Sequence, residues 1–254
     1  MEIPYNQLLH AVMDVGEAMQ NSGAEISRVE DSVSRMCASY GVQRVNTFTI
    51  TSNIIVTLEV DSKTVITQTR RIHQGTTDFT RLDQLNDLSR YICIHRPSVE
   101  EIRTRYDTIM DTRPTRKPLL YLGAALTGAA FAVFFGGGWR DALAAGLLAL
   151  LIERLTLLPI RTQCNPILYL FLVSLLTGIG GIVLVRLGIG LHLDKILIGC
   201  IMLTIPGIAI TNAIRDLLSG DTVSGLSRLC ESLLQAAGIA CGFCLAIYVL
   251  GRGF

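Results

Sequence analysis

The strongest constraint on this chain is a series of long apolar stretches confined to its second half. A helix that crosses a bilayer needs about 20 mostly apolar residues, with a working range of roughly 17 to 25. Beyond Pro118, five stretches meet or approach that length: Leu119 to Phe135, Ala142 to Ile160, Pro166 to Leu187, Ile196 to Thr211 and Leu229 to Leu250. They are expected to form a bundle of five spanning helices over residues 119–254.

The first part of the chain is a different polymer. Residues 1–118 hold 14 of the 22 Lys and Arg and 15 of the 21 Asp and Glu, and the rest of the chain holds only 8 and 6. That shift places a domain boundary near Pro118. Glu2, His10, Asp14 and Glu17 interrupt the first twenty residues, so no secretory pattern is read there and insertion is expected to begin at Leu119. Neither sign of charge dominates, which argues against a nucleic-acid partner.

Periodicity organises residues 1–118 into a compact α+β domain of order ααβββαα. Leu8, Val12, Val15 and Met19 recur at helical spacing, as do Ile26, Val29, Val33, Met36 and Tyr40. Ser22 and Glu25 have the spacing of a capping box, and Gly41 ends the second helix. Ile54, Val56, Leu58 and Val60 alternate with more polar neighbours, which predicts a half-buried strand. A turn at Asp61-Ser62-Lys63 returns the chain as Thr64 to Ile72, and Val42 to Ile50 is a third strand. Two helices follow, one with Leu82, Leu85, Leu88 and Ile92, the other opened by a second capping box, Ser98 and Glu101.

Orientation follows from the basic residues. Arg103, Arg105, Arg113, Arg116 and Lys117 crowd the approach to the first span, which makes that side cytoplasmic. Alternation leaves the amino-terminal domain in the cytoplasm and the carboxyl terminus outside a cell inner membrane.

Charged or irregular residues at membrane depth are expensive and each needs a reason. Glu153 and Arg154 lie several residues before the inner end of the second span. They are either a pair relieved by snorkelling or a proton- or substrate-coupled pair. The fourth stretch is broken by Thr204-Ile205-Pro206-Gly207, which frees backbone groups within the membrane. Short spans broken by Pro and Gly point to binding sites in transporters, although a kinked structural helix is the plainer alternative. A polar run, Thr211, Asn212, Arg215, Asp216, Ser219, Gly220, Asp221 and Gly225, follows directly and also reads as an ordinary cytoplasmic loop.

The seven cysteines form no framework, and Cys241-x-x-Cys244 lies in an apolar run without a nearby histidine. No metal site, cofactor motif or catalytic triad is read, so no enzyme is expected. Gly238-x-x-x-Gly242 would let a neighbouring helix approach closely, or is simply a permissive pair.

Taken together, these residues resemble the threonine/serine exporter family over nearly the whole chain. The likeness rests on Ser22-Gly23-Ala24-Glu25 with Arg28-Val29-Glu30, and on Thr69-Arg70-Arg71 with His73. It also rests on Gly137-Gly138-Trp139 and, most specifically, on Pro206-Gly207, Asn212, Arg215-Asp216, Gly220-Asp221 and Gly225. The resemblance implies export of small polar metabolites, threonine and serine or a dicarboxylate such as succinate, at the expense of an ion gradient. With five expected spans, the chain looks like the larger subunit of a split pair, completed by a small all-membrane subunit in a homo- or hetero-oligomer. On that reading Thr204, Thr211, Asn212 and the amides around Pro206-Gly207 hold substrate and Arg215 attracts it. Asp216, Asp221 or Glu153 carries the coupled proton, and Gly23, Glu25, Arg28 and Glu30 mark the soluble-domain motif. The alternative is a membrane-anchored metabolite sensor or regulator; a membrane enzyme using the inner-face carboxylates is a third.

Overall fold

The amphipathic pattern up to Tyr40 becomes two helices, α1 (Tyr5–Asn21) and α2 (Ile26–Ser39), whose apolar stripes bury Leu8, Val12, Met19, Val29, Val33 and Met36 completely. They pack closely at Gly16, where an added Cβ would lie 2.7 Å from Val33 Cγ2. The structure is a computed structural model and describes residues 4–72, 77–112, 116–158 and 164–251.

The capping box expected of Ser22 and Glu25 does not form. Gly23 adopts a left-handed conformation, φ +100°, which inserts a turn and delays the second helix to Ile26. Ser22 becomes the C-cap of α1, and Glu25 stands at the N-cap of α2 without a side-chain capping bond. Glu25 is thereby released for another partner.

Three antiparallel strands follow, β1 (Arg44–Ile50), β2 (Asn53–Glu59) and β3 (Val65–Arg71), in the order β1-β2-β3. Phe48 faces Ile55 across the first pair and Ile54 faces Arg70 across the second. The alternation read in β2 holds, with Ile54, Val56 and Leu58 fully buried. Asp61 Oδ1 accepts from the backbone N–H groups of Lys63 and Thr64 at 2.7 and 2.8 Å, which fixes the expected turn. Helices α3 (Phe79–His95) and α4 (Val99–Met110) complete the ααβββαα order. The second capping box forms by half. Ser98 accepts from the Glu101 N–H at 3.3 Å, while the Glu101 carboxylate turns to Tyr91 Oη and Arg105 Nε.

The remaining helices among the described residues are α5 (Lys117–Phe134), α6 (Trp139–Thr156), α7 (Pro166–Arg186), α8 (Leu193–Thr204), α9 (Gly207–Leu218) and α10 (Thr222–Leu250). Three of them, α5, α7 and α10, are long and apolar enough to cross a membrane. The pair α8 and α9, bent by 55° where the chain breaks, makes a fourth candidate. Helix α6 carries Arg140, Asp141, Glu153 and Arg154 in its 18 residues, so its composition falls short. Among the described residues, length and apolarity thus support three or four spans where the apolar pattern led to five.

The chain divides into two compact units, Met1–Arg113 with Thr211–Leu229, and Pro114–Ile210 with Cys230–Phe254. The first has a core of large aliphatic side chains drawn from α1 to α4 and β2.

The second unit is built in the opposite sense. Small residues are buried in it, among them Ala132, Ala144, Ala145 and Ala149, while Leu122, Leu126, Phe134, Leu143, Leu172 and Leu176 are exposed. Lipid offers no hydrophobic drive to bury leucine, so close packing of small residues holds such helices together. Gly199 packs so closely that an added Cβ would lie 2.5 Å from the Gly128 carbonyl oxygen, and one at Gly242 would lie 2.5 Å from that of Phe171. Gly238 meets Ile167 O in the same way at 3.0 Å, so the Gly238-x-x-x-Gly242 pair is a helix contact with α7. The seven cysteines are free, with Cys241 and Cys244 exposed on α10.

One buried polar group ties this unit together, and sequence reasoning did not single it out. Asp141, fully buried, accepts from the backbone N–H groups of Gly138, Leu191 and His192 at 2.9, 2.7 and 2.9 Å, and lies 2.9 Å from His192 Nδ1. It fastens the turn before α8 to the first turn of α6.

Candidate functional site

The polar run begins within α9 and continues through a tight turn into α10, forming a helical hairpin. Gly220, at φ +94°, ends α9 in a Schellman turn: its N–H bonds Leu217 O at 3.2 Å, and the Asp221 N–H bonds Asp216 O at 2.9 Å. The Asp221 carbonyl then accepts the first bond of α10 from the Gly225 N–H at 2.9 Å. Gly225 allows the close approach of the two helices, since a Cβ there would sit 2.7 Å from Leu217 Cγ and 2.9 Å from the Ala213 carbonyl. The spacing Arg215-Asp216, Gly220-Asp221, Gly225 is therefore the covalent pattern of one turn.

This hairpin lies in the first unit, and its polar face meets the start of α2. Asn212 Nδ2 donates to the Gly23 carbonyl at 3.3 Å. Arg215 pairs with Glu25, the side chain left free when the capping box failed to form. Asp216 is 1% exposed, and Arg228 Nη1 from α10 lies 3.1 Å from its Oδ2. The Ile26 backbone N–H faces the same carboxylate. Neither contact has strict hydrogen-bond geometry. Asp216 is thus held by the Arg228 charge and by the positive end of the α2 dipole rather than by directed bonds.

Glu30 lies one turn further along α2 and accepts from the Thr49 N–H at 2.6 Å. Burial raises its carboxyl above the ordinary glutamate range, the Thr49 bond opposes that shift, and the negative charge of Asp221 adds to it. Four carboxylates, Glu25, Glu30, Asp216 and Asp221, thus gather with the guanidinium groups of Arg215 and Arg228.

Of the residues singled out from sequence, Gly23, Glu25, Glu30, Asn212, Arg215, Asp216 and Asp221 come together here. Arg28 is exposed and forms no ion pair among the described residues, and Thr211 is exposed on α9. Thr204, Pro206 and Gly207 stand at the α8–α9 break, in the second unit. Thr204 Oγ1 bonds back to Ile201 O at 3.1 Å. The Gly207 amide, expected to be freed by the break, donates to Ile205 O at 2.8 Å in a local turn. Glu153 is half-buried and Arg154 exposed on α6, and no ion pair joins them among the described residues. His73, part of the sequence likeness, falls outside the described residues.

Arg228 was missed as a site residue. A signal did exist, for Ser224, Arg228 and Ser232 recur every fourth residue on α10, and both serines are at most 2% exposed. A polar stripe that is buried has to face a partner.

Residues 10–250 match the family model ThrE, "Putative threonine/serine exporter". The chain is 25% identical over 244 residues to the threonine/serine exporter of Corynebacterium glutamicum, covering 92% of this chain and 49% of that protein. It is 24% identical over 246 residues to the "Probable threonine/serine exporter" of Mycobacterium tuberculosis, covering 95% and 46%. It is 25% identical over 240 residues to the "Probable succinate transporter subunit YjjP" of Escherichia coli, covering 91% of each chain. The chain spans about half the length of the two exporters and most of the length of the subunit. No solved structure matches it. These relatives are transporters rather than enzymes, and the apolar helices are those of a multi-pass membrane protein. With the family model covering nearly all of its residues, the chain belongs to the threonine/serine exporter family.

Proposed function

We propose that this chain is one subunit of a secondary exporter of small polar metabolites, either threonine and serine or a dicarboxylate such as succinate. It works with a second, small membrane subunit, in a homo- or hetero-oligomer, and draws on the ion gradient across the inner membrane. Residues 1–118 form the cytoplasmic domain. Five spans follow, with α6 as the second of them despite its charged ends, and the carboxyl terminus lies outside.

The observation that carries this reading is the clasp of the α9–α10 hairpin on the start of α2. A solvated loop would leave Arg215 and Asp216 in water. Here they meet Glu25, Arg228 and the Ile26 amide, and Asp216 is buried. Buried charges are costly and are retained where they serve a function or a specific arrangement. In this mechanism Thr211 and Asn212 hold the substrate in the first unit and Arg215 receives its anionic group; Thr204 and the broken backbone at Pro206-Gly207 are polar substrate groups of the second unit. Asp216, Asp221 or Glu153 is the group that exchanges a proton. An integral hairpin of this kind exceeds what an anchored sensor needs.

The test is export from cells loaded with labelled threonine, serine or succinate, with this chain alone and with a co-expressed small membrane partner. Export that requires the partner and collapses with an uncoupler supports the reading. Asn212→Ala and Arg215→Ala proteins that insert normally should lose most of that export, and wild-type rates in both would sink the site assignment.

A further inference from the structure

Both substrate classes carried by the relatives' names have a carboxylate, and the α9–α10 hairpin carries two guanidinium groups, those of Arg215 and Arg228, each already paired with a carboxylate of the first unit. We propose that Arg215, Arg228 and the amino terminus of α2 form a receiving site for the carboxylate of the transported metabolite, which Glu25 and Asp216 fill while no substrate is bound. This assignment rests on the exporter reading and specifies the chemistry of its site.

Three observations support it. Helix α2 has 14 residues and lacks a side-chain cap of its own, and the Asp216 carboxylate faces its first N–H, that of Ile26. Asp216 is 1% exposed, yet neither of its oxygens has a directed hydrogen bond. A buried carboxylate normally collects several such bonds, so this arrangement suits a site whose occupant exchanges better than one built only for rigidity. The Arg215–Glu25 pair is the accessible member, with side-chain exposures of 55% and 23%. An incoming carboxylate can displace Glu25 there without first opening the core.

Exchange of one carboxylate for another leaves the charge at each guanidinium unchanged. That matters here, because four carboxylates already surround two arginines and simple addition of an anion would be opposed. Arg228 enters this site as a binding group that the family likeness did not supply. Arginine suits the role, since its planar fork can hold a carboxylate through two parallel bonds.

The experiment is equilibrium binding of labelled succinate and threonine to the full-length protein in nanodiscs, with succinamide and threoninol as competitors lacking the carboxylate. The carboxylates should compete and the two analogues should not. Glu25→Gln removes an internal competitor and should tighten binding, up to about tenfold if the pair is closed nine-tenths of the time. Arg215→Lys and Arg228→Lys should each weaken it about tenfold, with folding checked by thermal melting. Unchanged affinity in Glu25→Gln, or equal competition by succinamide and threoninol, overturns the proposal. Labelled metabolite exported normally by proteins whose binding ignores all three substitutions overturns this site alone. Absence of both binding and export by the wild-type protein co-expressed with its small membrane partner overturns the exporter reading as well.

Discussion

Asn212 and Gly23 stand 189 positions apart in the chain and meet through a 3.3 Å hydrogen bond from the side-chain amide of one to the backbone carbonyl of the other. The carbonyl is presented by the left-handed turn at Gly23, and the amide by a helix that follows a proline break. Neither half of the contact makes sense without the other. An alanine at Gly23 would be strained at that φ and would bring its Cβ to 3.0 Å from Thr77 Cγ2.

The hairpin depends on Gly225. Gly225→Ala places a methyl 2.7 Å from Leu217 Cγ and 2.9 Å from the Ala213 carbonyl, and should destabilise the protein by about 1–3 kcal/mol through overpacking. Gly207→Ala meets nothing within 4 Å and should melt within about 1 kcal/mol of the wild type. Thermal unfolding of the two variants checks the contrast. Loss of export in Gly207→Ala at unchanged stability would identify the α8–α9 break as a hinge.

Asp216 and Arg228 should behave as a coupled pair. Removing either partner alone leaves a poorly solvated charge and should cost about 3–5 kcal/mol. The double replacement Asp216→Asn with Arg228→Gln should cost clearly less than the sum. A double-mutant cycle by chemical denaturation measures that coupling, and additivity within about 0.5 kcal/mol would show that the pair contributes nothing. Glu25→Gln, at the more exposed pair, should change stability by less than about 1 kcal/mol.

Glu30 sets a pH dependence whose sign follows from its raised titration. The folded protein holds this proton more tightly than the unfolded chain, so protonation favours folding. Its contribution is fully present at acid pH. It declines as pH rises from the ordinary glutamate range through the raised value of the folded state. Glu30→Gln should flatten that segment of the stability profile. Asp221→Asn should lower the Glu30 titration, because a neighbouring negative charge is removed while burial stays. Carboxyl NMR of the labelled side chain against pH reads both.

In the second unit, Asp141→Ala would leave the N–H groups of Gly138, Leu191 and His192 without their acceptor. Destabilisation of about 3 kcal/mol or more is expected, since each buried donor left unsatisfied costs about 1–3 kcal/mol. Gly242→Leu should separate α10 from α7, where even a Cβ would lie 2.5 Å from the Phe171 carbonyl. Thermal melting in nanodiscs checks both. Near-native stability of Asp141→Ala would show that water replaces the lost acceptor.

Periodicity and composition by themselves determined the element order ααβββαα, the β2 alternation and the apolar helices of the second half, because each is set by neighbours within a few turns. The Gly220 turn was not read from sequence, where the residue stood only within a polar run; its left-handed conformation is seen in the fold. Local pattern misled where a tertiary partner competed. Ser22 and Glu25 have capping-box spacing, but Gly23 turns the chain and Glu25 goes to Arg215. Glu101 likewise leaves its box for Tyr91 and Arg105. The apolar pattern gave no hint that Thr211–Leu229 packs with the amino-terminal unit, or that Arg228 answers a buried Asp216. Long-range ion pairs depend on which faces meet, and no local periodicity encodes that meeting. The fold decided it, because burying one carboxylate at the end of α2 required a counter-charge supplied from another helix.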